Sequence, residues 1–370
     1  ATDALALALV LPSASEALAI EAAACDVIAR TLAAISRGKG ASGEEGDDAR
    51  GAAATARLSS RARLRCAAAV AKTMTRTPSD AAAKSEALRA AARSVHAAAH
   101  AALAALVVAD DRDASGTDAL TSSDTVRTVL FATDVASFAC RFVGECAVRV
   151  RTARATAAKR ADGAREVRRL QLACCALLSA LWASGTHAAS RAVVDALAGV
   201  LRSGDAAVRA AGCRSVYVLA TGSPLAAALF AEERPFVALL IKTLIDVATV
   251  DNDAVTIATR LDALRALGAV VAAFAAAARE RSGERSVGQR TNSRRGSSKE
   301  RTSTAPDAPP SASVVLPPAW LKAGLSRAFV QATSARMLEE LDPASRRARD
   351  QRRVLGCGCR FLSALAALAS

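Results

Sequence analysis

Aromatic side chains are scarce in this chain of 370 residues, which contains one Tyr, two Trp and eight Phe. Proline and glycine are also few, at 10 and 20 residues. This composition excludes collagen-like, disulfide-framework and wholly disordered chains, and it disfavours an all-β domain. The shortage of aromatics also leaves few platforms on which the bases of single-stranded nucleic acid could stack.

Motifs typical of catalysis are missing as well. The chain has three His and contains no Gly-x-Ser-x-Gly elbow, no P-loop and no paired-carboxylate arrangement. The glycines of GKGASG match the dinucleotide-binding fingerprint by letter, but a predicted helix precedes them where the fingerprint needs a strand. The carboxylates of the GEEGDD that follows would repel a pyrophosphate. We therefore expect a protein that is not an enzyme and that has no cofactor and no small-molecule substrate.

Two histidines, His96 and His100, are four residues apart on one face of a predicted helix. This spacing could supply two imidazoles to a metal ion. A catalytic zinc site normally needs a third protein ligand and often a nearby carboxylate base, and VHAAAHAAL offers neither within a turn. We therefore expect surface or half-buried histidines and no metal site.

The nine cysteines are odd in number and show no repeated spacing. Most lie in apolar helical runs, and CGC at 357–359 has no second pair at zinc-ribbon spacing. Reduced core thiols are the expected state, which predicts an intracellular protein, cytoplasmic or nuclear. The longest uncharged stretch, at 170–190, contains several polar residues, so no membrane association is expected.

The net charge of +14 has two interpretations. Of the 49 basic residues 42 are Arg and 7 are Lys, which resembles the coding bias of a GC-rich genome. Clustered cations are also typical of proteins that bind polyanions. A basic ridge is predicted between 141 and 169, formed by Arg141, Arg149, Arg151, Arg154, Lys159, Arg160, Arg165, Arg168 and Arg169. This ridge could bind an acidic peptide or RNA, and the alternative is a solvated outer face.

Alanine accounts for 96 residues, so a core built from this sequence depends on closely packed helices. Apolar residues recur every three or four positions along most of the chain, which predicts amphipathic helices. The predicted helices span 15–36, 52–76, 79–108, two within 123–161 that meet near Gly144, 165–182, 188–202, 205–222, 235–250 and 253–280. Consecutive helices with short turns and no credible strand make an all-α array.

One helix pair is formed by ASRAVVDALAGVLRSGDAAVRAAGCRSVYVLATGSP, with Asp205 in the turn and Val208 and Arg209 opening the second helix. Similar openings occur at Arg168 and Arg260, 41 residues before and 51 residues after Arg209. The unit resembles a HEAT or armadillo repeat, for which roughly 40 to 47 residues are expected. TRLDALRALGAVVAAF is also loosely similar to large HEAT repeat-containing proteins. The resemblance implies a right-handed α-solenoid, an armadillo/HEAT-like superhelix of stacked antiparallel helix pairs.

In that family the turn Asp and the helix Arg commonly form a ladder between repeats. The resemblance therefore offers a structural ladder of Asp205, Arg209, Arg168 and Arg260, and the competing interpretation is a solvated charge pair.

Changes in composition predict the domain organisation. We expect N-terminal helices of the array at 1–37, an acidic Gly-rich loop at 38–51, and helical repeats at 52–281 with an acidic loop at 109–123. A disordered Ser/Arg/Pro-rich insertion is expected at 282–316, and a C-terminal helical repeat, truncated, at 317–370. RRGS in the insertion resembles the consensus of basophilic kinases, which makes Ser297 a candidate phosphosite.

The function that we expect is that of a non-enzymatic scaffold or adaptor. Its concave helical surface would hold a segment of a protein partner. The alternative is a nucleic-acid-associated helical repeat protein that uses the ridge at 141–169.

Overall fold

The computed structural model describes ten stretches of the chain: 14–38, 59–79, 82–114, 125–152, 157–183, 188–222, 228–231, 235–249, 257–293 and 318–322. Within them it contains helices and no strand, which confirms the all-α prediction. The α-helices are α1 (Ala14–Gly38), α2 (Ser60–Arg76), α3 (Glu86–Ala114), α4 (Val126–Ala132), α5 (Val135–Thr152), α6 (Ala157–Trp182), α7 (Arg191–Leu201), α8 (Ala206–Gly222), α9 (Pro235–Thr249), α10 (Ile257–Ser293) and α11 (Pro318–Lys322).

These helices pack in two rows. In one row α1 contacts α3, α3 contacts α6, α6 contacts α8 and α8 contacts α10. In the other row α2 contacts α4, α4 contacts α5, α5 contacts α7 and α7 contacts α9. Helices that follow each other in sequence join the rows, because α2 packs on α3, α5 on α6, α7 on α8 and α9 on α10. A single cluster of buried apolar side chains extends from Leu18 in α1 to Trp320 in α11.

Short polar side chains begin several of these helices. The Ser59 hydroxyl accepts a hydrogen bond from the Ala62 amide at 3.3 Å, and Asp205 accepts one from the Val208 amide at 3.0 Å. Each of these bonds satisfies a backbone N–H that has no partner inside its helix. The starts of these helices are therefore set by local capping residues, which can be recognised in the sequence.

The junction predicted near Gly144 is wrong, because Gly144 lies inside α5. The break comes earlier, between α4 and α5, where Asp134 has a positive φ of 49°. Asp is one of the few residue types that adopt this left-handed conformation with some frequency. A glycine inside a helix costs only about 1 kcal/mol relative to Ala, which the tertiary packing of α5 offsets.

Two predicted loops begin later than expected. The acidic loop assigned to 109–123 is helical up to Ala114, and helix α10 continues to Ser293, inside the insertion assigned to 282–316. A helix that is already nucleated extends through polar residues at little cost, whereas a composition argument concerns only burial. Gly38 ends α1, and the rest of the Gly-rich loop at 38–51 lies outside the described residues.

Asp110 and Asp111 tie the end of α3 to its neighbours. Asp110 pairs with the buried Arg63 of α2 at 3.2 Å and accepts a hydrogen bond from the Val126 amide at 3.0 Å. Asp111 accepts two hydrogen bonds from Arg127, at 2.9 and 2.8 Å, and Arg127 also donates to the last carbonyls of α6. These acidic residues therefore fix the packing of four helices and do not belong to a solvated loop.

Two stretches of the described chain, Glu86–Asp111 and Ala258–Ala278, are long and apolar enough to cross a membrane by length and composition. In their most apolar windows 72% and 61% of the residues are buried inside the protein. Buried core helices pass the same test, so the two stretches are weak indicators of a membrane.

The cysteine side chains differ in accessibility. All seven described cysteines are free thiols, and six are buried while Cys66 is half-buried. Burial raises the pKa of Cys25 and of Cys175 to about 12. Because the thiolate is the reactive form, these two thiols should react slowly in the folded protein.

We therefore expect a disulfide reagent at pH 8 to modify one thiol, that of half-buried Cys66, before the others in the Cys357→Ser/Cys359→Ser variant, which removes the two cysteines outside the described residues. Absorbance of the released thiolate measures the reaction. The fast phase should vanish when Cys66→Ser is added, and full reaction should require denaturant. Rapid modification of two or more thiols without denaturant would contradict the burial of the others.

Candidate binding groove

A groove of about 710 Å³ lies where α5, α6, α7 and the turn before α8 meet. Its lining is partly apolar, with Val143, Ala147, Val150, Val167, Ala196 and Val200 contributing side chains. Val148 also lines the groove, and 52% of its surface is exposed. Gly144, Gly199 and Gly204 also line it, and a Cβ atom added at any of them would meet no packed atom within 4 Å. The groove is therefore open to solvent above an apolar floor.

The turn between α7 and α8 forms one edge of the groove. Asp205 pairs with Arg168 of α6, and the Nε atom of Arg168 lies 2.6 Å from Oδ2 of Asp205. The Oδ1 atom of Asp205 accepts a hydrogen bond from the Val208 amide at the start of α8. Arg209 donates from Nη1 to the Ser203 carbonyl oxygen at 2.8 Å. Asp205 thus connects two neighbouring helix pairs and holds the turn in place.

The predicted ladder residues fall into two locations. Arg168, Asp205 and Arg209 meet at the α7–α8 turn, whereas Arg260 is a half-buried residue of α10 outside the groove lining. The Arg168–Asp205 pair is partly solvated, so by itself it adds little to stability. The assignment of these residues to a repeat ladder stays a prediction.

The predicted basic ridge is divided by the structure. Arg151, Arg165 and Arg168 line the groove, whereas Arg141 is exposed elsewhere on α5 and Arg149 is half-buried. Arg169 is exposed and lies 3.9 Å from Asp26 of α1. Arg154, the side chains of Lys159 and Arg160, and Ser297 lie outside the described residues.

A fourth cation that the sequence analysis missed, Arg202, completes the groove from the end of α7. It belongs to another helix, so no run of charges along the sequence includes it. The Nε of Arg202 donates to the Ala198 carbonyl at 3.0 Å, and the Nε of Arg151 donates to the Ala147 carbonyl at 3.1 Å. Within the described part of the chain neither guanidinium belongs to an ion pair.

The carboxylates at the groove are already engaged. Asp205 is paired with Arg168, and Asp195 lies 3.2 Å from Arg191. Glu166, counted with the ridge in sequence, reaches Arg93 of α3 at 3.1 Å. Positive charge is therefore in excess along the groove.

His96 and His100 are completely buried, so the expectation of surface or half-buried histidines is wrong. The ring of His96 stacks on Phe142 with the centroids 3.5 Å apart, and no nitrogen of either ring has a hydrogen-bond partner among the described residues. Desolvation lowers the pKa of His100 to about 3, and desolvation together with His100 lowers the pKa of His96 well below 6.5. Among the described residues no group of three His, Cys, Asp or Glu is placed to hold a metal ion.

Comparison with known proteins gives one structural likeness. No family model matches the chain, and no curated protein matches it. A solved structure that aligns with it is the crystal structure of an engineered protein, 15% identical, with 99% of this chain and 91% of that chain covered. The TM-score of 0.26 is too low to indicate a shared fold.

Proposed function

We propose that this chain is a non-enzymatic protein-binding scaffold, built as a HEAT/armadillo-like α-solenoid and holding a partner segment in the groove. The order of helix packing supports the solenoid. Each helix contacts the next in its own row, and pairs such as α7 and α8 join the two rows. Packing between neighbouring units is the organisation of repeat proteins, in which every pair covers the apolar face of the next.

The open groove is the single observation that carries the binding function. Its volume of about 710 Å³ falls in the usual range for ligand sites, and exposed Val148 stands beside cations without acidic partners among the described residues. An arginine edge over an apolar floor is typical of binding sites, where arginine is enriched.

We place this scaffold inside the cell, in the cytoplasm or the nucleus. The support is the set of buried free thiols, which persist in reducing compartments.

Nucleic-acid association through the ridge at 141–169 is the second candidate. The observation in its favour is that Arg151 and Arg165 both reach the groove. The groove lining contains no aromatic side chain on which a base could stack, and this favours a protein partner.

A groove-filling variant tests the proposed function. With a photo-crosslinking amino acid in place of Val148, the full chain should form discrete products with another protein in cells. Adding Gly199→Trp should reduce these products at least about tenfold, because the new side chain enters open space above the floor. Mass spectrometry of the isolated products measures both yield and identity.

The matched control adds Leu239→Trp, which places the same side chain on α9, where Leu239 is 41% exposed outside the groove. This variant should crosslink like the parent. Products that are insensitive to Gly199→Trp, or equally sensitive to Leu239→Trp, would contradict binding in the groove.

A further inference from the structure

We infer that the groove takes an acidic amphipathic helix of a partner protein. This inference rests on the proposed function and adds the chemistry of the partner. It draws on two independent properties of the groove, the excess of unpaired cations along its edges and the apolar floor between them.

Guanidinium groups from three helices converge on the groove. Arg151 lies in the last turn of α5, Arg165 near the start of α6, and Arg202 directly after α7. Arg165 pairs with Asp162, but both side chains are mostly exposed, at 79% and 63%, so water screens this pair. Arg151 and Arg202 each donate one hydrogen bond, from Nε, to a carbonyl of their own helix. The N–H groups of both Nη atoms are therefore available to the acceptors of a partner.

Carboxylates are the acceptors that match this arrangement. A guanidinium binds a carboxylate through two parallel N–H donors, and such charge-assisted bonds are shorter and stronger than neutral ones. The groove lining contains four guanidinium groups, those of Arg151, Arg165, Arg168 and Arg202, and two carboxylates, those of Asp195 and Asp205, so positive charge remains in excess. Acidic side chains of a partner would therefore complete the charge balance at the edges.

The floor requires apolar side chains between those carboxylates. Val148 is exposed one turn before Arg151, and buried Val143, Val167 and Val200 lie beneath. An amphipathic helix presents apolar residues at i, i+3, i+4 and i+7, which suits a groove bounded by helices. A nucleic acid fits less well, because the lining contains no aromatic side chain on which a base could stack.

The test uses the full chain and fluorescein-labelled peptides of about 16 residues, a length at which helices begin to form in water. The acidic peptide carries Leu at i, i+3, i+4 and i+7 and Glu at the flanking positions. Its matched forms carry Gln or Lys in place of Glu, and a uridine 12-mer represents single-stranded nucleic acid. Fluorescence anisotropy should show the acidic peptide binding about tenfold more tightly than the Gln form, with the difference shrinking as salt rises.

Charge reversal locates the interaction. Arg151→Glu/Arg202→Glu should weaken the acidic peptide about tenfold or more and remove the preference over the Gln form. Arg65→Glu/Lys72→Glu makes the same change of charge at exposed positions of α2 and should leave the affinity within about twofold. Val148→Ser should weaken the acidic and the Gln peptide alike, since it changes only the floor.

The outcomes separate this inference from the proposed function. If the acidic, Gln and Lys peptides bind equally and Gly199→Trp abolishes this binding, the groove binds protein but does not prefer an acidic partner. This result would support the proposed function and contradict the inference. Failure of every peptide to bind would also overturn the acidic partner, while the crosslinking experiment decides the scaffold independently. Tight binding of the uridine 12-mer that Arg151→Glu/Arg202→Glu abolishes would replace a protein partner by nucleic acid.

Discussion

Lowering the pH from 7 to 5 should reduce the free energy of unfolding by about 2 kcal/mol for each of two histidines, His96 and His100. Both rings are completely buried, and burial holds the pKa of His100 at about 3 and that of His96 well below 6.5. Below pH 6.5 the unfolded chain therefore binds two protons that the folded chain does not. The unfolded state gains stability with each proton, so the loss begins below pH 6.5 and continues toward pH 3.

Carboxylates titrate in a different range. The hydrogen bond from Arg89 and the nearby guanidinium charges lower the pKa of Glu86, so its contribution is lost below the window between pH 7 and 5. Burial raises the pKa of Glu21, which acts in the opposite direction, because this carboxyl then binds its proton more readily in the folded chain. The histidine contribution is isolated by comparing the chain with a variant that lacks both imidazoles.

Urea unfolding followed by circular dichroism at pH 7 and pH 5 measures the effect. In His96→Phe/His100→Leu the difference in stability between the two pH values should shrink by about 4 kcal/mol. Phe preserves the stacking of position 96 on Phe142, and Leu fills the apolar site of His100 without a polar group. Equal pH dependence in the chain and the variant would show that the imidazoles are solvated or hydrogen-bonded in the folded state.

The burial of His96 and His100 could not be read from the sequence. A face can be assigned to a helix when apolar and polar residues alternate around it, but the middle of α3 is nearly all Ala. That helix contacts α1, α2, α5 and α6, so no residue between 90 and 107 is exposed. The neighbours that cover it depend on long-range packing that periodicity does not encode.

Where the contrast between faces was strong, the sequence was sufficient. The helix predicted at 188–202 is observed as α7, and its apolar residues Val193, Leu197 and Leu201 are buried. The bounds of α8 also agree with the prediction to within one residue, because Asp205 caps its start. Local capping and a 3.6-residue period are sequence-local signals.

Pairs between distant residues were not predictable. Asp110 looks like the start of an acidic loop until Arg63, 47 residues earlier, is placed beside it. Arg202 likewise joins Arg151 and Arg165 only after α7 packs on α5. The sequence therefore predicted the cations that α5 and α6 contribute to the groove. It did not predict Arg202, which the neighbouring α7 contributes.

Replacing Gly222 by Ala should destabilise the chain by on the order of 3 kcal/mol, the upper part of the usual range for overpacking. Gly222 ends α8 against the end of α6, and a Cβ at this position would overlap the carbonyl oxygen of Trp182 and lie 2.9 Å from its carbonyl carbon. Backbone atoms cannot turn aside as a side chain does. Moreover, Arg127 anchors this end of α6 by donating to the Ala180 and Leu181 carbonyls, and the buried Trp182 ring packs edge-on against Phe131.

Two other glycines provide matched controls. Gly144→Ala in α5 meets no atom within 4 Å and should stabilise the chain by about 0.5 to 1 kcal/mol, because Ala restricts the unfolded chain more than Gly does. The stability of the Gly212→Ala chain should lie between those of the other two variants, because its new Cβ would lie 2.9 Å from a Val200 methyl that can shift. Urea unfolding at pH 7 ranks the three variants. If the Gly222→Ala chain were as stable as the Gly144→Ala chain, α6 and α8 would not be in backbone contact at Gly222 and Trp182. The contact that joins the two helix pairs at this point would then be wrong.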